Sequence, residues 1–243
     1  MKGSSFLRIP ILVSCVLSAV TVEAQNSLVV IPMLETRVEY TGAIKTGDSL
    51  CSVFKEPPGN WQEQDCASLP AGLEGQDGEL QFGAVASPRY TDNLDGTIKD
   101  NLSGLTWLQN AYCDDVAAGH SWSEALSIIA ELNAAGTMNG NHCGDTSNAG
   151  GHQNDWRLPN VRELQTLLDY GRPEGPFIAE DHPFQGAMLN MAYWSSTNYG
   201  YVWDGDLGVN LVDDAMRVNF KDAVTDGTGK NGAQHVWAVR GGH

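Results

Sequence analysis

Positive charge is scarce in this 243-residue chain: 14 lysines and arginines stand against 30 aspartates and glutamates, a formal net charge of −16. A surface of that sign repels phosphates and anionic headgroups at long range, which argues against nucleic acid or an anionic membrane as the main partner. The same field suits a cationic partner, a neutral glycan or bound calcium, and it also serves solubility alone. Long apolar runs are missing beyond the first two dozen residues, so no later segment reaches the roughly 20 residues of a membrane-spanning helix. There is no internal repeat and no low-complexity linker. Ser195-Ser196 sits outside any Gly-x-Ser-x-Gly elbow, and cysteine is absent after Cys143.

The N-terminus reads as a secretory leader over residues 1–24. Lys2 and Arg8 form a positive start, residues 9–22 are apolar but short for a span, and Val22-Glu23-Ala24 offers small residues at a cleavage site before Gln25. A lipoprotein reading exists because Leu12-Val13-Ser14 precedes Cys15. Cleavage there leaves an apolar stretch of about five residues, shorter than an export signal needs, so lipidation at Cys15 is disfavoured. The expectation is a secreted, cell-surface or periplasmic protein with no membrane insertion after cleavage. Its mature form carries 12 basic and 29 acidic residues, a net charge of −17.

Four cysteines then remain: Cys51, Cys66, Cys113 and Cys143. An even number in an exported chain predicts two disulfides, and three connectivities are open. Pairing Cys51 with Cys66 and Cys113 with Cys143 closes the shortest loops. Residues 25–87 form a turn-rich N-terminal extension or subdomain. Val29-Val30-Ile31 and residues 37–40 read as short strands, while 56–60 and 72–78 read as loops.

Residues 88–243 are better punctuated. Tyr90-Thr91 and Thr97-Ile98-Lys99 flank an Asp95-Gly96 turn, which predicts a hairpin, and 105–108 predict a further strand. Ser121-Trp122-Ser123-Glu124 is a capping box, followed by an apolar face of Ala125, Leu126, Ile129 and Leu132 and a stop at Gly136. A second helix starts at the Asn160 cap with Glu163 three positions on. It buries Val161, Leu164, Leu167 and Leu168 and ends at Gly171. Strands are expected at 192–197, 209–212, 215–220 and 235–240. Two helices followed by a run of strands predict an α+β fold.

The stretch RYTDNLDGTIKDNLSGLTW at 89–107, Asp155-Trp156-Arg157-Leu158-Pro159-Asn160 with Val161-Arg162-Glu163-Leu164, Tyr193-Trp194-Ser195-Ser196-Thr197 and the closing Val239-Arg240-Gly241-Gly242 occur in this order. Together they resemble the C-terminal domain family of the Legionella collagen-like adhesin, a bacterial domain largely of unknown function. The likeness extends over about residues 45–243. It implies a C-type lectin-like fold, with two helices packed on small twisted antiparallel sheets, stapled by disulfides, and a long irregular loop region. The founding member is regarded as an adhesin for sulfated glycans. That ligand is not carried over, because a polyanion needs clustered lysine and arginine.

Candidate sites follow from oxygen donors and aromatic rings. Asp92-Asn93-Leu94-Asp95-Gly96 has hard donors without the spacing of an EF-hand, and turn formation is the favoured account of it. Asp204, Asp206, Asp213 and Asp214 form a second acidic cluster that could hold calcium, the one cofactor considered. Tyr199, Tyr201 and Trp203, with Asp204, Asp206 and Asn210, offer a ligand platform. Trp107, Trp156, Trp194 and Trp237 are expected in the core, and Arg157 and Arg240 in structural ion pairs. His142-Cys143 with His152 lacks a fourth zinc ligand, so Cys143 is read as a disulfide partner. Formylglycine-generating enzymes and iron-dependent oxidases have a similar fold and an echo of Trp156-Arg157-Leu158-Pro159. The late cysteine pair and dedicated histidines they need are absent here, and no catalytic residue is expected. The leading reading is a non-catalytic extracellular module that binds a glycan or a cell-surface or extracellular protein, with oligomerisation open. The alternatives are a structural subunit docked through residues 25–87 and an oxidase-like enzyme.

Overall fold

A computed structural model describes residues 44–56, 59–186, 191–200 and 213–242 with their side chains, and the backbone alone of strands at 14–24, 27–37, 202–204 and 209–211. The chain forms two compact units, Met1–Ala43 and Ile44–His243. In the first, β1 (Ser14–Ala24) pairs antiparallel with β2 (Ser27–Arg37), Ala24 opposite Ser27. Strand β2 contains the expected Val29-Val30-Ile31, whereas residues 38–40 lie outside the described residues. Strand β1 falls inside residues 1–24, the expected leader.

The second unit begins with a hairpin that the sequence pattern concealed. β3 (Leu50–Lys55) pairs with β4 (Asn60–Asp65), Phe54 opposite Trp61. Cys51 and Val53 alternate inward while Leu50, Ser52 and Phe54 face out, the period-two signature of a strand with one covered face. Cys51 is bonded to Cys66 just beyond β4, with Cα atoms 5.0 Å apart. A single helical turn, α1 (Asp77–Leu80), cuts short the loop expected over 72–78. Gly78 lies against the carbonyl of Leu50, where any Cβ would collide.

β5 (Tyr90–Asp92), β6 (Thr97–Asp100) and β7 (Thr106–Leu108) form the expected meander, with Gly96 at φ 81° in the first turn. α2 (Trp122–Ala135) starts at the predicted cap: Glu124 N–H donates to Ser121 Oγ, Ser121 N–H donates to Glu124 Oε2, and Gly136 stops the helix at φ 71°. Its inner face is Ala125, Ile128, Ile129 and Leu132; Leu126, expected inside, is exposed. The i, i+3, i+4, i+7 spacing selects Ile128 over Leu126. Short β8 (Thr137–Met138) and β9 (Asn141–His142) follow, and the second disulfide joins Cys113 to Cys143 with Cα atoms 5.4 Å apart. Both bridges therefore take the short-loop pairing.

α3 (Val161–Gln165) has the predicted Asn160–Glu163 capping box but ends at Gln165 rather than Gly171. Thr166 Oγ1 donates back to the carbonyl of Glu163 at 2.7 Å, and Leu168 then bridges Ile178 in an extended pairing. Leu164, Leu167 and Leu168 are all buried, so the apolar stripe exists, but half of it hangs from a turn. The remaining strands are β10 (Ala192–Asn198), β11 (Val202–Asp204), β12 (Val209–Leu211), β13 (Asp214–Asn219), β14 (Val224–Gly229) and β15 (Val239–Arg240). Strand pairing over 235–240 is confined to β15 and isolated bridges, although 235–239 are buried.

Small antiparallel sheets result: β15-β7-β6-β5, β10-β13-β14 and three two-stranded ribbons besides β1-β2. This is a mixed helix and sheet architecture with two disulfides, as the α+β reading expects. Its core centres on Trp237, whose ring centroid lies 5.1 Å from Trp107, 4.8 Å from Phe184 and 5.6 Å from Tyr193. The Trp237 indole N–H donates to the carbonyl of Leu108 at 2.8 Å, so this polar atom is buried with its partner. Trp107, Trp156 and Trp194 are likewise in the core.

Candidate functional site

The ordered motifs of the sequence meet in space, and they meet as structure. Arg157 clamps Glu163 through two bonds of 2.7 Å and donates to the carbonyl of Gly241 at 3.0 Å. Arg157 and Val239 also exchange both backbone bonds. Ser196 N–H donates to the carbonyl of Pro159, and Val161 N–H donates to Thr197 Oγ1. A register shift between Trp194 and Asn198 bulges β10 to present these groups to the start of α3. Arg240 pairs with Asp155 at 3.0 Å. The expected structural role of both arginines holds. In the sheet that contains β15, Arg89 forks onto the fully buried Asp100 at 2.9 and 3.1 Å. Burial alone would raise the Asp100 pKa, but the Arg89 fork, Ser103 Oγ and Leu102 N–H together hold it below the usual carboxylate value.

The oxygen-rich loop at 92–96 is explained by its own turns. Asp92 Oδ1 accepts from Leu94 N–H, Asp95 Oδ1 accepts from Thr97 N–H and Oγ1, and Asn93 donates to Thr97 Oγ1. Likewise Cys143 is spent on its disulfide, and the His152 ring contacts the carbonyl of Asn133 at 3.3 Å.

The expected ligand face at 199–214 is described in part. Tyr201 and Asp206 lie outside the described residues, as do the side chains of Trp203, Asp204 and Asn210. The backbone pairs Trp203 with Asn210 and Asp204 with Val209 across the β11–β12 ribbon. Tyr199 is exposed, its ring lies on Gly227 where a Cβ would strike it, and its N–H donates to the carbonyl of Asp214 at 3.1 Å. Asp213 is exposed, and its carbonyl accepts from Lys230 N–H at 2.7 Å. Among the described residues no group of three potential metal ligands converges.

Two features went unread in the sequence. The first is a buried polar set. Asp114 is inaccessible, and His120 Nε2 stands 2.9 Å from its Oδ2 without the alignment of a hydrogen bond. The Tyr193 hydroxyl and His235 Nδ1 are also buried without partners among the described residues. Burial pushes the Asp114 carboxyl up against the pull of His120; burial, then His120, push His235 down.

The second is a polar groove astride the Cys113–Cys143 bridge, with wells of about 500 and 380 Å³ that share Asn110, His142 and Gln185. An isolated parallel bridge aligns Asn110 with Gln185; Gln185 N–H donates to the carbonyl of Gln109 and Ala111 N–H to that of Gln185, both at 2.8 Å. Gly186, at φ 103°, lets this segment approach the Cβ of Tyr112. Residues more than 70 positions apart make these walls, so no local motif announces them.

No curated protein matches this chain. The family model described as the Lcl C-terminal domain matches residues 96–240, which run from within the first motif to within the fourth, and the chain belongs to that family.

Proposed function

We infer that this chain is a non-catalytic recognition module of C-type lectin-like architecture, exported by its leader and acting as an adhesin-related protein outside the cytoplasm. It binds a glycan or an extracellular protein through the face at 199–214. The observation that carries this reading is the family membership, an adhesin-related domain, combined with the fate of its motif residues. Arg157, Glu163, Ser196, Thr197 and Arg240 are consumed in holding the frame, which leaves the irregular segments free to vary with the ligand. Tyr199, exposed and seated on Gly227, and the exposed Asp213 are described parts of that face. Calcium at Asp204, Asp206, Asp213 and Asp214 is an adjunct of the same reading.

The test is a panel of immobilised glycans and cell-surface proteins, probed with the mature protein in calcium and in chelator. Binding without turnover, weakened in Tyr199→Ala, is the expected result. Silence across the panel under both conditions would count against a recognition role. A second reading, a structural subunit of an extracellular assembly docked through 25–87, is favoured by Phe54 and Trp61, which stand exposed on the outer face of the β3–β4 hairpin. Light scattering on a size-exclusion column tests it, and a monomer at high concentration would remove it.

A further inference from the structure

The groove across Cys113–Cys143 is a site separate in residues from the 199–214 face, and its chemistry is narrower than that of a general contact surface. Four neutral amides line it: Gln109, Asn110, Asn141 and Gln185. Some of their polar atoms are committed to the frame. Gln109 Nε2 donates to Asp92 Oδ2 at 3.0 Å, Asn141 Nδ2 to the carbonyl of Asp114 at 3.2 Å, and Asn110 Oδ1 accepts from Tyr112 N–H at 2.9 Å. These bonds fix three side chains in place while leaving Asn110 Nδ2 as a donor and Gln109 Oε1 and Asn141 Oδ1 as acceptors. The Gln185 amide, the His142 ring and the Tyr112 hydroxyl have no partner among the described residues. The result is a mixed set of neutral donors and acceptors on a braced frame.

Such a set matches hydroxyl groups, which donate and accept at once and carry no charge. It does not match a sulfate, phosphate or carboxylate, because neither well is lined by a lysine or arginine and the charged side chains present are Asp92 and Asp115. A cation finds no converging group of three ligands there. Both wells fall within the roughly 300–1,000 Å³ of small-molecule sites, and their shared residues make one continuous trough rather than two isolated pits. Bracing by the disulfide and the 109–111 to 185 pairing lowers the ordering cost of binding. The geometry points to a binding site for a neutral, hydroxyl-rich oligosaccharide, two adjoining sugar units lying across the disulfide. This inference rests on the reading of the chain as a recognition module, and it adds to the face at 199–214 a second site with a ligand class of its own.

The experiment is a glycan array carrying neutral α- and β-linked oligosaccharides beside heparin fragments, followed by isothermal titration of the strongest neutral ligand. Gln185→Ala and His142→Ala remove exposed side chains that bond to nothing else in the fold, so unchanged melting temperatures are expected. Each is expected to weaken neutral-glycan binding by about fivefold to tenfold, the loss of one or two hydrogen bonds, and Tyr199→Ala to leave it unchanged. Binding confined to heparin fragments would overturn the proposal, as would neutral binding insensitive to both groove variants. Neutral binding lost in Tyr199→Ala alone would move the ligand to the other face, sinking this site while sparing the recognition reading. Protein capture with no glycan bound would do the same.

Discussion

The regions on either side of Arg89 solve the same problem differently. In 44–87, Cys51 and Val53 are the buried apolar side chains among the described residues, while Phe54, Trp61, Phe82 and Val85 stand in solvent. In 88–242 an aromatic cluster packs inward, with four rings centred within about 6 Å of Trp237. A segment that buries so little must limit its unfolded state by other means. The Cys51–Cys66 bridge, closing a 15-residue separation, supplies about 3 kcal/mol by the loop-entropy argument. Cross-linking thus stands in for packing in one region and supplements it in the other.

That contrast breaks first at the core. Trp237→Ala removes the indole around which the aromatic cluster packs and leaves the Leu108 carbonyl without its donor, at an expected cost of about 3–5 kcal/mol. Urea titration followed by near-ultraviolet circular dichroism should show the loss of cooperative unfolding or a large fall in midpoint. A shift below about 1 kcal/mol would mean that the aromatic cluster is not the stabilising centre. Replacing Cys51 and Cys66 together by serine should cost about 3 kcal/mol locally. Hydrogen exchange should accelerate through 44–65 and leave the amides of α2 protected. Loss of protection in α2 as well would join the two regions into one cooperative unit.

How far the sequence foretold this arrangement depends on how local each signal was. The capping boxes at Ser121 and Asn160 and the Asp95-Gly96 turn are satisfied within a few residues, and each lies where expected. The length of α3 was hidden because Leu167 and Leu168 continue a helical stripe in composition while Ile178, ten residues beyond Leu168, captures the backbone. β14 was missed because Val224-Thr225-Asp226-Gly227-Thr228-Gly229 has almost no apolar content; its Gly227 makes room for Tyr199 instead. The hairpin β3–β4 carried its alternation on a cysteine and one valine, too thin a pattern to read. At the functional level the proposed face at 199–214 was chosen for its aromatic and acidic residues in one stretch. The amide groove was not, since Gln185 reaches Asn110 only through tertiary pairing.

Within the better-packed region the Arg89–Asp100 fork offers a graded test. Arg89→Met strips the cation from a carboxylate that is inaccessible to water, and because Arg89 itself is partly exposed the cost at neutral pH is about 2–3 kcal/mol, below that of a fully buried pair. The sign with pH follows from the direction of the shift. With its folded pKa held below the unfolded value, Asp100 contributes stability above the unfolded pKa, and that contribution fades as pH falls through the folded one. In the variant, burial without the fork raises the carboxyl instead, so protonation relieves it. The gap between wild type and variant should therefore begin to narrow above about pH 4, where the variant's carboxyl takes up its proton, and go on narrowing below it as wild type loses its contribution. A gap constant from pH 7 to pH 3 would detach Asp100 from the effect.

The smallest expected effect lies in the stapled region, and it sharpens the comparison most. Phe54 and Trp61 oppose each other on β3 and β4 with centroids 5.7 Å apart, edge to face, on the face of the hairpin away from Cys51 and Val53. A cross-strand aromatic pair in water contributes about 0.2–1 kcal/mol, because both rings keep much of their hydration. Replacing both by threonine preserves strand propensity and should lower stability by less than about 1 kcal/mol in a dilute sample. The same measurement at high protein concentration separates the two remaining accounts of these rings. If the cost stays small at every concentration, the rings are free surface, and stability in this region rests on its disulfide. If the cost grows with concentration, the wild-type rings are being covered by a second copy, and the assembly reading gains the interface it requires.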